Sequence, residues 1–352
     1  MKKEVIYVGL SGGVDSSVAA LRLKKQGHTV VGVFIKTWQP DFLNCNWEAE
    51  RLDAMRVAAH LDIPFLTFDA EEAYKTKVAD YMIREYTEGR TPNPDVMCNQ
   101  YVKFGVFLDW ALAHGADKVA TGHYARMEAR DGYHALLRGV DEGKDQSYFL
   151  WTLTEEQRMH SIFPIGDTAK ADIRKEAEDA GLLTSKKADS QGICFLGHVD
   201  IKEFLAHYVT TEAGDVLDEA GTVVGVHDGA LFYTYGQRHG FTLKTEGVAS
   251  KPHYVVDKDI VANTITVATT PRSAVGETVT LTHRNAIRPT WPQEMDAQFR
   301  YRQTPLRVTY AQTDTEHGIL TVLTDVEQPS EGQSCVLYDG DECLGGGIIT
   351  AG

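Results

Sequence analysis

Long apolar runs are missing from this 352-residue chain. No stretch of about 18 apolar residues occurs, which excludes a transmembrane helix. The N-terminal segment MKKEVIYVGLSGG has two lysines but only a short apolar run, followed by glycines rather than a small-residue cleavage site. It reads as a first strand, not a signal peptide. The expected location is the cytoplasm, with no membrane partner. Cysteine is scarce. Cys45, Cys98, Cys194, Cys335 and Cys343 are scattered and form no C-x-x-C pair. That excludes a secreted disulfide framework and a closed zinc knuckle, and leaves thiols with individual roles. Basic charge is also short, with 35 Lys+Arg against 50 Asp+Glu and a net charge of −15. Indiscriminate attraction to nucleic acid is excluded, so any such contact must rest on a local basic surface. There is no internal repeat and no low-complexity tract.

What is present is an ordinary globular composition, 43% hydrophobic and 24% charged. The length suggests two or three domains. The first part alternates strand and helix. EVIYVGL (4–10), HTVVGVFI (28–35), IPFLTFDA and DKVATGHYA (117–125) read as strands. Residues 15–26, 47–61, 71–88 and 99–114 read as helices, and YHALLRG (133–139) pairs with the segment before it. This order predicts an α/β fold with a doubly wound parallel sheet, which binds ligands beyond the carboxyl ends of its strands. Residues 141–207 read as helical. After about 210 the chain is rich in Val, Thr, Gly and close turn pairs, the signature of small antiparallel barrels. The expected division is 1–209, 210–280 and 281–352, the last a β-barrel.

The strongest local motif is Ser11-Gly12-Gly13-Val14-Asp15-Ser16-Ser17, where the first strand meets the first helix. Gly12 and Gly13 let the backbone approach an anion. The serines and the helix-start N–H groups can donate to phosphate. Asp15 is a candidate to hold Mg2+ on that phosphate. The loop lacks the lysine and spacing of a Walker loop and the pattern of a dinucleotide site. Two serines and a carboxylate make a mere tight turn an insufficient reading.

Two cysteines stand in distinctive surroundings. TPNPDVMCN places Asp95 three residues before Cys98, just ahead of the helix expected at 99–114. A helix N-terminus favours a thiolate, and a nearby carboxylate can move a proton. A buried structural cysteine beside a capping aspartate fits those residues equally. Cys194, in DSQGICFLG, lies in an apolar loop and by itself reads as a small core residue.

SGGVDSS resembles the signature of the PP-loop ATP pyrophosphatases. The series SGGVDSS, TPNPDVMCN, ATGHYAR (120–126), KDQSYFL (144–150), GICFLG (192–197), YTYGQRHG (233–240), FRYRQ (299–303) and GGGII (345–349) spans nearly the whole chain. It closely resembles the tRNA-uridine 2-sulfurtransferases, also known as tRNA-specific 2-thiouridylases, the MnmA family. The resemblance implies ATP on Gly9, Leu10, Ser11, Gly12, Gly13, Val14, Asp15 and Ser16, with Ile35 beside adenine and Gly122 near the nucleotide. Ile35 stands where methionine is common in the family. It implies a target base at Asn93, Pro94 and Asp95, Cys98 as nucleophile, Cys194 as persulfide carrier and Asp95 as proton shuttle. It implies tRNA contact at His123, Lys144, Asp145, Gln146, Tyr301, Arg302 and Gln333. Cys45, Cys335 and Cys343 match no catalytic position.

The implied reaction adenylates the 2-carbonyl oxygen of the wobble uridine in lysine, glutamate and glutamine tRNAs. Sulfur then arrives from the persulfide, leaving a Cys98–Cys194 disulfide. The implied partners are tRNA and a persulfide donor or sulfur-relay protein, with the chain acting as a monomer. Another PP-loop synthetase and a catalytically silent RNA-binding protein are the competing classes. An iron–sulfur cluster on Asp95, Cys98 and Cys194 also stays open, although two thiolates are fewer than usual. For RNA contact, residues 283–307 place Arg284, Arg288, Arg300, Arg302 and Arg307 against Glu294 and Asp296, interleaved with Trp291, Phe299 and Tyr301. A second run, Lys170, Arg174, Lys175, Lys186 and Lys187, reads as solvated helix charge.

Overall fold

The computed structural model describes residues 2–42, 47–188, 201–244 and 251–350. The N-terminal layer begins with β1 (Val5–Gly9), α1 (Val14–Lys25), β2 (Thr29–Lys36), α2 (Trp47–His60) and β3 (Phe65–Asp69). A helix follows as α3 (Glu71–Tyr74), a wide π-type turn at Lys75–Ala79, and α4 (Asp80–Thr87). The next is α5 (Pro94–Met97), π-type turns over Cys98–Val106, and α6 (Phe107–Ala113), then β4 (Lys118–Ala120). The hairpin β5 (Ala125–Arg130) and β6 (Tyr133–Arg138) precedes α7 (Glu155–Met159), β7 (Ser161–Ile162), α8 (Lys170–Asp179) and α9 (Ile201–Leu205).

The sheet order is β3-β2-β1-β4-β7, with every pairing parallel. Alternation along β1 sends Ile6 and Val8 into the core with α1, α2 and α8, and Tyr7 into the core with Val78, Phe104 and Phe107. Both faces of the central strands β1 and β2 are covered, which is why they are mostly apolar. The chain winds outward from β1 to β3 and then returns to β4. The loops after β1 and β4 therefore diverge at a switch point, where such sheets form their crevice.

Two helices differ from the sequence expectation. The one expected at 99–114 begins at Pro94, because the Asn93 side chain accepts from Val96 N at 3.3 Å and proline suits the first helical position. Within the stretch 141–207 expected to be helical, the helix from Glu155 stops at Met159, because Ser161–Ile162 joins the sheet edge beside β4. Thr154 and Gln157 form a capping box at that helix's start.

The central unit has β8 (Gly214–Leu217), β9 (Val223–His227), β10 (Phe241–Leu243), β11 (Tyr254–Asp259) and β12 (Thr264–Ala268), ordered β10-β9-β8-β12-β11. The last unit has β13 (Thr278–Ala286), β14 (Glu294–Gln298), β15 (Leu306–Gln312), β16 (Gly318–Val322), β17 (Ser334–Asp339) and β18 (Glu342–Thr350). Pairing of β13 with β18 closes it into a barrel. The glycines of GGGII are required by crowding. A Cβ at Gly345 would lie 2.0 Å from Asn285 O, and one at Gly346 would lie 3.1 Å from the Trp151 ring.

The barrel is welded to the first unit. Strand β6 pairs with β18, so the β5–β6 hairpin extends the barrel sheet rather than the parallel one. Asn285 Nδ2 donates to Trp151 O at 2.7 Å, and buried Tyr148 donates to Ser334 O at 2.8 Å. Among the described residues, no helix is long and apolar enough to cross a membrane.

Candidate active site

The loop after β1 turns tightly. Gly12 has φ +72°, and a Cβ there would lie 2.6 Å from Glu50 O, so only glycine is accommodated without strain. Gly13 caps α1 without a side chain, so no side-chain cap occupies the helix-start N–H groups. Ser16 Oγ accepts from Ser11 N at 3.2 Å, and Ser17 Oγ donates to Gly13 O at 2.7 Å. These bonds order the loop, and such a strand-to-helix turn can receive an anion. Gly122, after β4, packs on α1 so closely that a Cβ would lie 2.6 Å from Ser16 N. A Cβ at Gly9 would touch Ile35 Cδ1 at 3.6 Å. Gly9 to Ser16, Ile35 and Gly122 are thus brought together across the ends of β1, β2 and β4.

Asp15, the candidate to hold Mg2+ on the phosphate, is engaged by a cation and a phenol in this structure. Lys170 Nζ lies 2.7 and 2.8 Å from its two carboxylate oxygens, and Tyr124 donates to the first at 2.7 Å. Among the described residues, no three His, Cys, Asp or Glu side chains are grouped to hold a metal ion. Lys170 was legible only as helix charge; it is in fact buried, at 9% exposure. Nothing in its local sequence signalled the contact, which spans 155 residues.

Cys98 is 1% exposed and lies in the second turn of the helix that starts at Pro94, with Asp95 in the first turn. It is therefore not at the helix N-terminus. The macrodipole falls off within the first turn, so it contributes less to a thiolate than the sequence suggested. Cys98 also opens the π-type turns, and such bulges are frequent at functional sites. Cys194 and Cys45 lie outside the described residues. Cys335 and Cys343 are buried in the barrel, and burial pushes the Cys343 thiol up to about 12.

The loop before Cys98 is gripped by both β-rich units. Thr91 N donates to Glu331 O at 2.8 Å, and Gln333 Nε2 donates to Thr91 O at 3.0 Å. The Thr91 and Thr234 hydroxyls are 3.1 Å apart. On the next side, the Tyr301 and Phe149 rings are 4.4 Å apart, and Phe149 O accepts from Asn99 Nδ2 at 3.1 Å.

Comparison with known proteins fits this layout. Residues 4–198 match the tRNA methyl transferase HUP domain, 202–269 the tRNA methyl transferase PRC-barrel domain, and 277–349 the aminomethyltransferase β-barrel domain. The tRNA-specific 2-thiouridylase of Geobacillus thermodenitrificans is 44% identical, over 98% of this chain and 94% of that protein. The chain belongs to the tRNA-specific 2-thiouridylase family. The Bacillus subtilis relative is 42% identical over 98% of this chain and 94% of its own length. A solved 4-thiouridine synthetase–RNA complex with bound ATP matches 58% of this chain and 50% of its own, at 19% identity and TM-score 0.36.

Within this 2-thiouridylase chain the RNA-contact residues implied by sequence differ in exposure. Arg302 is exposed, has φ +61°, and lies with its guanidinium 5.1 Å from the Tyr301 ring centre. Lys144 and Gln146 are half-buried, and the Gln146 side chain accepts from Tyr124 N. Asp145 and His123 are buried. Asp145 accepts from Arg138, Gly139 N, Ser147 N and Ser147 Oγ. The other arginines of 283–307 have partners within the chain, with Arg300 and Arg307 still partly exposed. Arg288 pairs with Asp339, Arg300 with Glu327 and Arg307 with Asp296, while Arg284 lies over Trp291.

His123 bonds Thr121 Oγ1 at 2.7 Å and sits beside Phe104. Burial, aided by Lys103, holds its imidazole well below the ordinary 6.5, so it is neutral when folded. The unfolded chain binds the extra proton below about pH 6.5, so stability must fall as pH drops through that value. The slope due to this residue approaches about 1.4 kcal/mol per pH unit until the folded pKa is reached. Urea titrations from pH 8 to pH 5 are expected to show a smaller acid loss for His123→Asn than for the unaltered chain. Equal losses would mean the imidazole protonates in place.

Proposed function

We propose that this enzyme replaces the 2-oxygen of the wobble uridine of lysine, glutamate and glutamine tRNAs with sulfur, using ATP as a substrate. The carrying observation is the grip of both β-rich units on the segment that leads into Cys98. A synthetase acting on a small metabolite has no use for such a connection between an extended outer surface and a buried cysteine.

The uridine oxygen is a poor leaving group and must first be activated. The loop Ser11–Ser16 receives the phosphates on its N–H groups, and Ile35 and Gly122 flank the nucleoside. The 2-oxygen attacks the α-phosphorus, and pyrophosphate leaves with the bonding electron pair. Asn93, Pro94 and Asp95 hold the base, which must be extruded from the anticodon stack to reach them. Cys194 carries the terminal sulfur of a persulfide delivered by a donor or relay protein. Cys98 attacks the inner sulfur, releasing hydrosulfide to C2 and forming the Cys98–Cys194 disulfide. The reverse order, with the persulfide attacking C2 and Cys98 resolving it, has the same balance. AMP leaves with the former uridine oxygen, and Asp95 carries the proton. A cellular thiol reductant reopens the disulfide.

The test is mass spectrometry of nucleosides after incubation of tRNA with the enzyme, ATP, magnesium and a persulfide source. The expected products are 2-thiouridine at the wobble position and equal AMP and pyrophosphate. A methylated uridine from a methyl donor, the transfer that the HUP-domain family's name describes, would overturn this reading.

A further inference from the structure

Asn99, the last residue of TPNPDVMCN, takes no part in the mechanism above. It follows Cys98 directly and is 2% exposed. Its Nδ2 donates to Phe149 O at 3.1 Å, across 50 residues of chain. Its Oδ1 is buried and has no hydrogen-bond partner among the described residues. An unpaired buried acceptor carries a cost that an apolar side chain of the same size would avoid. Such an exception calls for a reason other than packing.

Both segments that this bond joins are anchored without it. The helix that carries Cys98 is fixed at its start by Asn93, whose Oδ1 accepts from Val96 N, and by the grip on Thr91. The segment that carries Phe149 is fixed by Tyr148, which donates to Ser334 O, and by the Ser147 hydroxyl, which donates to Asp145. What Asn99 adds is a direct link between the two. On the far side of that link, the Phe149 ring lies 4.4 Å from the Tyr301 ring, and exposed Arg302 stands over Tyr301. Two contacts therefore connect Tyr301, at the proposed RNA surface, to the residue beside Cys98.

We propose that Asn99 is a positioning residue for Cys98. It fixes the reach from the Tyr301–Phe149 wall to the thiol, so that RNA seated on that wall presents its extruded base where sulfur is delivered. It acts through the turn that carries Cys98 and not on the reacting atoms. That turn opens the π-type stretch Cys98–Val106, which contains non-helical backbone at Gly105. The local chain thus lacks the regular hydrogen bonding that fixes side-chain direction in an ordinary helix, and a tertiary bond at its first turn supplies the register. Sulfur transfer depends on near-attack geometry, in which a misplacement of about 1 Å costs about a hundredfold. Adenylation is carried by the phosphate loop and does not use the thiol, so it is far less exposed to this bond.

This inference rests on the proposed role of Cys98, and the experiment separates the two. Pyrophosphate release, 2-thiouridine formation and tRNA KM are measured for the unaltered enzyme, Asn99→Leu, Asn99→Ala and Asn99→Gln, with ATP, magnesium and a persulfide source. Asn99→Leu and Asn99→Ala are expected to lose about a hundredfold in kcat for 2-thiouridine. Their tRNA KM and first-turnover pyrophosphate release should stay near the unaltered values. Asn99→Gln keeps an amide donor and should recover part of the thiolation rate. Asn99→Ala removes atoms without overfilling the site, so it carries the comparison if Asn99→Leu does not fold. Thiolation near the unaltered rate in either variant would overturn the inference while leaving the reaction intact. So would an equal fall in pyrophosphate release and thiolation, which marks a general structural role, or a loss confined to tRNA KM. Full thiolation by Cys98→Ser, or no pyrophosphate from the unaltered enzyme, would instead overturn the reaction scheme and the inference with it.

Discussion

Cys98→Ser is expected to lower 2-thiouridine formation by on the order of a thousandfold or more, the scale seen when a nucleophile is removed. The hydroxyl cannot take part in thiol–disulfide exchange, so the persulfide sulfur is not released. The replacement nearly conserves volume at a site that is 1% exposed. Its structural cost should stay near 1–3 kcal/mol, for burying a hydroxyl among Met97, Val102 and Phe104. The loss must therefore appear in sulfur transfer and not in tRNA affinity, and quantifying 2-thiouridine and tRNA binding side by side checks this. Thiolation at the unaltered rate with persulfide as donor would sink the scheme. The same variant addresses the iron–sulfur alternative. Visible absorbance in anaerobically purified protein that disappears with Cys98 would favour a cluster over a persulfide.

Asp145→Ala is expected to destabilise the protein by about 3–5 kcal/mol, the cost of stripping one partner from a buried charged pair. Its carboxylate accepts from Arg138 Nη1 at 3.0 Å and from two backbone N–H groups and a hydroxyl, each at 3.0 Å. The Arg138 guanidinium lies 3.5 Å from the Tyr338 ring centre, inside the seam between the β5–β6 hairpin and the barrel. Removing Asp145 leaves that cation with only the neutral Gln298 Oε1 at 3.3 Å, and the N–H groups of Gly139 and Ser147 without their acceptor. Urea unfolding gives the stability change, and tRNA binding by the folded fraction gives the RNA effect. If stability is unchanged and only tRNA affinity falls, the carboxylate serves RNA directly.

Asp145 shows where a motif and a mechanism part company. KDQSYFL marks the segment as belonging to an RNA-modifying family, but a linear pattern does not say which side chain faces outward. His123 and Lys170 make the same point. Each sits in a short polar stretch, and each is buried by an element distant in sequence. The π-type turns at Cys98 were also beyond reach, because propensity separates helix from strand but not a 3.6-residue from a wider turn. The β6–β18 pairing was missed for a related reason. The sequence paired 133–139 with the segment before it, and only closure of the barrel about 200 residues later decides what else that hairpin pairs with.

Local chemistry was determined by the sequence alone. The apolar strand runs, the Gly12–Gly13 turn, the serines beside it and the proline-stiffened entry to Cys98 are properties of neighbouring residues, so they can be read in order. The tertiary structure decided which charges meet. Asp15 faces Lys170, Asp145 faces Arg138, and Gln333 grips the backbone at Thr91. Ion pairs and hydrogen bonds act over about 3 Å in space and are indifferent to separation along the chain. The shortage of basic charge is resolved in the same way. Arg288, Arg300 and Arg307 are engaged in ion pairs, and Arg302, exposed beside Tyr301, is left facing outward at the proposed RNA surface.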